Sequence, residues 1–370
     1  MGEPIRVLHI LQRMEAGGTQ TLLMNIYRKI DRTKVQFDFL VVYKEKQFFD
    51  DEIEKIGGHV YKMSFREDLN LLKFQKDLEN FFAQHKEYKI VHCHAYTIGD
   101  ICLKAAKKSG IPVRIAHSHN NETVHDIKYL PKLFMQRIFT KNATDFLACS
   151  EEAGKYLFKD KPFRVIKNAI DSQNFIADIN IREETRKELG LEDTFVVGHV
   201  GRLHAQKNHD FLIEVFEEIK KKKSNARLIL VGTGPLEEKV KSKVEEKDLV
   251  DCVHFLRNRR DMNRIYQAMD VFVFPSLFEG LGIVSIEAQA AGVPSVCSEG
   301  VPPETDITPI YRKLQLSDGA KKWADAALEM AENPNAHMNM QQYVMDAGFD
   351  IGSTAKYMEQ YYLKKFNSSK

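Results

Sequence analysis

The segment PSLFEGLGIVSIEAQAAGVPSV carries the densest chemistry in the chain: Glu279 and Glu287 stand eight apart, with Gly280 and Gly282 between them. The spacing predicts a loop that runs into a helix beginning near Gly282, so Glu279 lies in the loop and Glu287 in the helix. Carboxylates accept hydrogen bonds from sugar hydroxyls, and the N–H groups at a helix start can hold phosphate oxygens. Upstream, VGHVGRLHAQKN places Gly201, Arg202 and Lys207 at a strand exit just ahead of a helix. An arginine and a lysine backed by helix N–H groups suit a doubly charged phosphate. VGTGP puts Gly232 and Gly234 at the next strand exit, where a backbone can come close to a ligand.

The first half has two further features. The run Glu15-Ala16-Gly17-Gly18-Thr19 follows an apolar strand and precedes a helical stretch. Its glycines suit positive φ and close approach, and the helix start offers N–H groups to an anion. It is not GxGxxG, and no acidic residue ~20 positions on completes a dinucleotide fingerprint, which disfavours a nicotinamide-dependent dehydrogenase. The strand VRIAHSH ends on His117 and His119, followed by Asn120 and Asn121. Residues two apart on a strand share a face, and ligands of open α/β sheets bind at the carboxyl ends of strands. A substrate-facing histidine is expected there. KIVHCHA carries a similar pair, His92 and His94. Two histidines sharing a face could form a metal pair, but no third ligand stands at suitable spacing and the sequence does not join the two pairs, so no metal site is expected.

Strands alternating with helices must position these groups. IRVLHIL, VQFDFLVVY, KIVHCHA and VRIAHSH are separated by helical stretches, and a second series runs through TFVVGHVGRL, ARLILVGTG, VHFL, DVFVFPS and VPSVCS. The strands are continuously apolar rather than alternating, as burial on both faces of a parallel sheet demands. Two doubly wound parallel-sheet α/β domains are predicted, 1–170 and 171–351, with their boundary around Asp171. The lysines Lys220 to Lys223 close a helix at its negative dipole end.

The chain has 370 residues, 54 Lys plus Arg against 52 Asp plus Glu, and a formal charge of +2. Two domains of ordinary size account for the length, and the balanced charge argues against nucleic acid as a partner. Five cysteines without CxxC spacing predict no disulfide framework and a reducing cytoplasm. The apolar run near the first residue is too short for a signal peptide, and no stretch is apolar enough to span a bilayer. From Ile101 to Asn142 there are eight basic residues against two acidic ones, and YLPKLFMQRIFTKN reads as an amphipathic helix with a basic face. Such a helix either packs on the sheet with its basic face in water or lies at an anionic membrane surface, here the inner face of the plasma membrane.

Taken in order, the Gly17-Gly18 loop, VGRLHAQKN, LILVGTGPL, VHFLRNRRD and FEGLGIVSIEAQAAGVPSV resemble the retaining nucleotide-sugar glycosyltransferases of family GT4, over nearly the whole chain. The pair Glu279 and Glu287, spaced E-x7-E, is the family's most specific mark. Within the family the chain is most similar to bacterial exopolysaccharide and capsular polysaccharide enzymes. Asn208 and Arg257 stand where the family commonly has glycine.

The resemblance implies the GT-B fold, two Rossmann-like domains facing each other across a cleft. The first would bind the acceptor and take back the C-terminal helix, 352–370; the second would bind the donor. It implies transfer of a sugar from a nucleoside diphosphate, with UDP expected over GDP, to a hydroxyl of a glycan or lipid-linked acceptor. Donor contacts would come from Gly17, Gly18, Gly201, Arg202, Lys207, Gly232, Gly234, Leu256, Arg257, Glu279, Gly280, Leu281, Gly282, Ile283 and Glu287. Arg202 and Lys207 would stabilise the departing diphosphate, with no metal and no cofactor. Glu279 would hold sugar hydroxyls and Glu287 ribose hydroxyls, while His119 or His117 faces the sugar. The other readings are a nucleotide-sugar epimerase on the same fold, and a non-catalytic GT-B binding subunit.

Overall fold

The computed structural model describes residues 3–15, 17–64, 70–119 and 140–369. The chain divides into two compact units, Met1–Ala169 together with Ile351–Lys370, and Ile170–Asp350.

The first unit is built on β1 (Ile5–Leu11), β2 (Val35–Val41), β3 (Val60–Lys62), β4 (Ile90–Cys93), β5 (Val113–Ser118), β6 (Asp145–Ala148) and β7 (Arg164–Val165). These form one parallel sheet in the order β3-β2-β1-β4-β5-β6-β7. Both faces are buried, which explains the unbroken apolar strands. Val7 and Leu11 of β1 pack into one core, and Leu8 and Ile10 into another on the opposite side. The helix Gly18–Lys29 covers the first face with Leu22, Leu23, Ile26 and Tyr27. The terminal helix Ile351–Asn367 adds Ile351, Ala355, Met358, Tyr361 and Tyr362 to the same core.

The second unit repeats the plan with β8 (Phe195–Val200), β9 (Ala226–Val231), β10 (Val253–Phe255), β11 (Val271–Phe274), β12 (Ser295–Ser298) and β13 (Tyr311–Leu314). Their order is β10-β9-β8-β11-β12-β13, again all parallel. The helix His209–Lys222 buries Leu212, Ile213, Val215, Phe216 and Ile219, and its last turn carries Lys220, Lys221 and Lys222.

In each sheet the strand order reverses once, between β1 and β4 and between β8 and β11. Connections leave in opposite directions at that point and open a crevice beyond the strand ends. The strands β3, β7 and β13 carry no apolar run of their own, and that of β6 is only Phe146, Leu147 and Ala148. All four strands are two to four residues long, and pairing with a longer neighbour holds them in the sheet.

Candidate active site

The crevice of the second unit gathers most of the predicted donor residues. Gly201 and Arg202 follow β8, and Glu279 lies in the loop after β11. Lys207 Nζ donates a 2.6 Å hydrogen bond to Glu279 Oε1, with both side chains largely buried at 14% and 8% exposure. The same ammonium lies 4.7 Å from the centre of the Phe274 ring. Gln206 ties the two loops together: its side chain donates to the Phe278 carbonyl at 2.8 Å, and its own carbonyl accepts from the Leu277 N–H. Arg202 is exposed and makes no hydrogen bond or ion pair with the described residues. One cation is thus held in place by a carboxylate, and the other extends into solvent.

Backbone geometry explains most of the glycines. A Cβ on Gly232 would lie 2.2 Å from the Gly201 carbonyl oxygen, and one on Gly234 would lie 2.3 Å from that of Leu203. Both positions therefore serve the close packing of the 232–234 loop against the 201–203 loop. Gly282 has φ +77° and is the N-cap of the helix Ile283–Ala290, with no side-chain cap at that end. Gly280 has open space around it. Asn208 and Arg257 both have positive φ, 55° and 43°. The chain therefore keeps a left-handed turn at two places without glycine; asparagine tolerates it, whereas arginine is strained there. Leu256 is half-buried beside exposed Arg257, while Leu281 and Ile283 pack on the core under β11.

Glu287 lies in the second turn of its helix and accepts a 2.9 Å hydrogen bond from the buried Tyr266 hydroxyl. The residue as a whole is half-buried, but withdrawal of the carboxyl from water pushes its pKa up to about 7, against the lowering effect of the Tyr266 hydrogen bond. Beneath Lys207, burial and the nearby ammonium push the His209 pKa down to about 4. His199 is also held well below the usual range, by burial first and His209 second. His199, Gln206, His209, Tyr266 and Gly300 escape the sequence reading. Gly300 accepts the Glu279 N–H at 2.9 Å and has no room for a Cβ against Leu277. His199 and His209 were visible only as histidines flanking the VGRLHAQKN loop.

In the first unit, Gly17 and Gly18 correct one expectation. Gly17 is extended, with φ −137°, and Gly18 opens the helix Gly18–Lys29, so neither adopts positive φ. The helix start has no side-chain cap. Ala16, Asn120, Asn121 and residues 129–139 of the amphipathic segment lie outside the described residues.

The two histidine pairs do not stand apart. β4 lies between β1 and β5, His9 pairs in register with His92, and the alternate residues of β4 and β5 bring His94 beside His117. Five imidazoles thus share one side of the sheet. His9 Nδ1 lies 3.1 Å from His94 Nε2, His94 Nδ1 2.8 Å from His119 Nε2, and His92 Nε2 3.1 Å from His117 Nδ1. His92 Nδ1 lies 2.7 Å from the Tyr362 hydroxyl. His117 is 2% exposed, whereas His119 is half-buried and is the outermost of the five. The expectation that no third ligand is at hand fails. His9, His92 and His94, and likewise His94, His117 and His119, each offer three ring nitrogens within 4.8 Å of one another. Spacing along one strand could not reveal this, because the partners come from neighbouring strands.

Comparison with known proteins places the chain. Residues 16–174 match Glycosyltransferase Family 4, and residues 181–345 match Glycosyl transferases group 1. The protein of Bacillus subtilis (strain 168) named "Putative glycosyltransferase EpsF" is 34% identical over 337 residues, covering 88% of both chains. The UDP-Gal:alpha-D-GlcNAc-diphosphoundecaprenol alpha-1,3-galactosyltransferase of Escherichia coli is 28% identical, covering 80% of this chain and 79% of that one. Among solved structures, Anabaena HepE in complex with UDP and glucose has a TM-score of 0.78 at 17% identity, covering 97% and 99% of the two chains. The two parallel-sheet units have the GT-B fold. The chain belongs to the family 4 glycosyltransferases.

Proposed function

We propose that the protein transfers a sugar, with retention at the anomeric carbon, from a UDP-sugar to a hydroxyl of a glycan or lipid-linked acceptor during cell-surface polysaccharide synthesis. The observation that carries this reading is the Lys207–Glu279 pair, set beside the uncapped helix start at Gly282 in the crevice of the second sheet. The names of relatives support the substrates: one acts with UDP-Gal on a diphosphoundecaprenol-linked sugar, and HepE is complexed with UDP and glucose. A lipid-linked acceptor would place the enzyme at the inner membrane surface, although no helix among the described residues is long and apolar enough to cross a bilayer.

The chemical difficulty is the charge that grows on the departing diphosphate. Lys207, Arg202 and the first N–H groups of the helix Ile283–Ala290 would meet it, with no divalent ion required. Because Lys207 already points along a fixed ion pair, little reorganisation accompanies bond breaking. Glu279 holds that ammonium and offers its second oxygen to sugar hydroxyls, and Glu287 accepts from the ribose. We assign His119, rather than the buried His117, to the sugar itself. In same-face displacement the acceptor oxygen bonds to the anomeric carbon as the carbon–phosphate oxygen bond breaks. The acceptor proton passes to the phosphate oxygen that leaves.

Incubation with a panel of nucleotide sugars tests this without an acceptor. Slow release of UDP from one UDP-sugar is the expected result. Absence of binding to any nucleoside diphosphate, measured by calorimetry, would overturn it.

A further inference from the structure

Only the outermost ring of the histidine cluster has a part in the proposed transfer, yet four more imidazoles stand behind it. Their nitrogens can be followed one by one. His94 reaches His119 through Nδ1 and His9 through Nε2. His117 spends Nδ1 on His92, which in turn reaches the Tyr362 hydroxyl. His117 Nε2 is left with no hydrogen-bond partner, in a residue 2% exposed. Leaving such a group unsatisfied is unfavourable. His117 belongs to the group His94, His117 and His119, in which one ring nitrogen from each residue lies within 4.8 Å of the others.

We propose that His94, His117 and His119 bind one zinc ion, through His94 Nδ1, His117 Nε2 and His119 Nε2, with the fourth position open. Zinc–nitrogen bonds of about 2.0–2.1 Å put tetrahedral ligands about 3.3 Å apart. The 2.8 Å between His94 Nδ1 and His119 Nε2 therefore needs to open only slightly. An all-imidazole set suits zinc, and Cys93 lies in the core on the opposite face.

The remaining rings fall into place as supports. With His94 ligating through Nδ1, its Nε2–H donates to His9. With His117 ligating through Nε2, its Nδ1–H donates to His92, whose Nδ1–H donates to the Tyr362 oxygen. The tautomers of His94 and His117 are thereby set by neighbours, as in established histidine metal sites. The site lies in the first unit alone and shares His119 with the proposed sugar contact, so a bound ion would alter that contact.

Elemental analysis of the full chain, purified without a histidine tag, should find about one zinc per molecule. Cobalt substituted for zinc should show the visible absorption of a four-coordinate ion. His94→Ala and His117→Gln should each lose the ion while keeping the wild-type circular dichroism. His9→Phe should retain it with affinity lowered about 10–100-fold. Zinc should raise the thermal midpoint of the metal-stripped wild type but not that of His117→Gln. A wild type that stays metal-free after dialysis against equimolar zinc would overturn the proposal. Zinc bound equally tightly by both ligand variants would do the same.

Discussion

Lys207 and Glu279 constrain each other, and their variants should therefore differ from those of an isolated catalytic group. Lys207→Ala leaves a carboxylate that is 8% exposed without its cation, a loss of about 3–5 kcal/mol by the usual cost of breaking a buried pair. Turnover should fall about 10²–10³-fold, the effect of removing one donor to developing negative charge, and UDP affinity should fall with it. Glu279→Ala should nearly abolish transfer. Steady-state kinetics beside UDP calorimetry measure both, and wild-type turnover in either variant contradicts the assignment. In the proposed mechanism side-chain cations meet the diphosphate, so the rate should be the same with and without added Mg²⁺. Glu287 supplies a pH signature. Its pKa is raised from 4.5 to about 7, so the native state binds the proton more tightly than the unfolded chain. Its contribution to stability is present below pH 4.5 and is lost as pH rises through 7. Relative to Glu287→Gln, the wild type should lose about 2 kcal/mol between pH 5 and pH 8, read from urea unfolding at the two values.

At the scale of the elements, the glycines separate into those the packing requires and those it does not. Gly234→Ala would force a Cβ onto the Leu203 backbone and should shift the 232–234 loop, lowering the thermal midpoint of the second unit. Gly282→Ala places a left-handed φ on a residue with a Cβ, at a cost of about 1–2 kcal/mol, and moves the helix start proposed to hold the phosphate. Gly280→Ala meets nothing within 4 Å and should leave the midpoint unchanged. A scan in which all three behave alike would show that loop geometry does not set the crevice. All three glycines were legible in the sequence as candidates. Which of them the backbone needs was not, because that depends on the distance to a loop 30 residues away, or on φ.

At the scale of the molecule, each unit has a sheet with a core on both sides, and the terminal helix belongs to the first. Tyr362, Met358 and Ile351 are at most 2% exposed and share a core with Val7, Leu11 and Phe37. Burial of each such side chain is worth about 1.5–3 kcal/mol. Deletion of residues 351–370 should therefore abolish cooperative unfolding of the first unit and leave that of the second. Limited proteolysis with calorimetry would show it, and two intact transitions would contradict it. The same helix supplies the Tyr362 hydroxyl to His92, so its loss also reaches the histidine cluster.

The order of apolar strands and amphipathic helices by itself determined a pair of parallel α/β sheets, because burial on both faces leaves a continuous apolar run that local composition displays. The charged and glycine residues at the strand exits were equally legible, since a strand end and the following helix are contiguous in the chain. Register and close approach belong to the tertiary structure. Strand order decided that Lys207 meets Glu279 across a reversal, that β3 and β13 form at all, and that His9, His92, His94, His117 and His119 stand together. Contacts between strands depend on which neighbours pair and at what offset, and no spacing along a single strand encodes either.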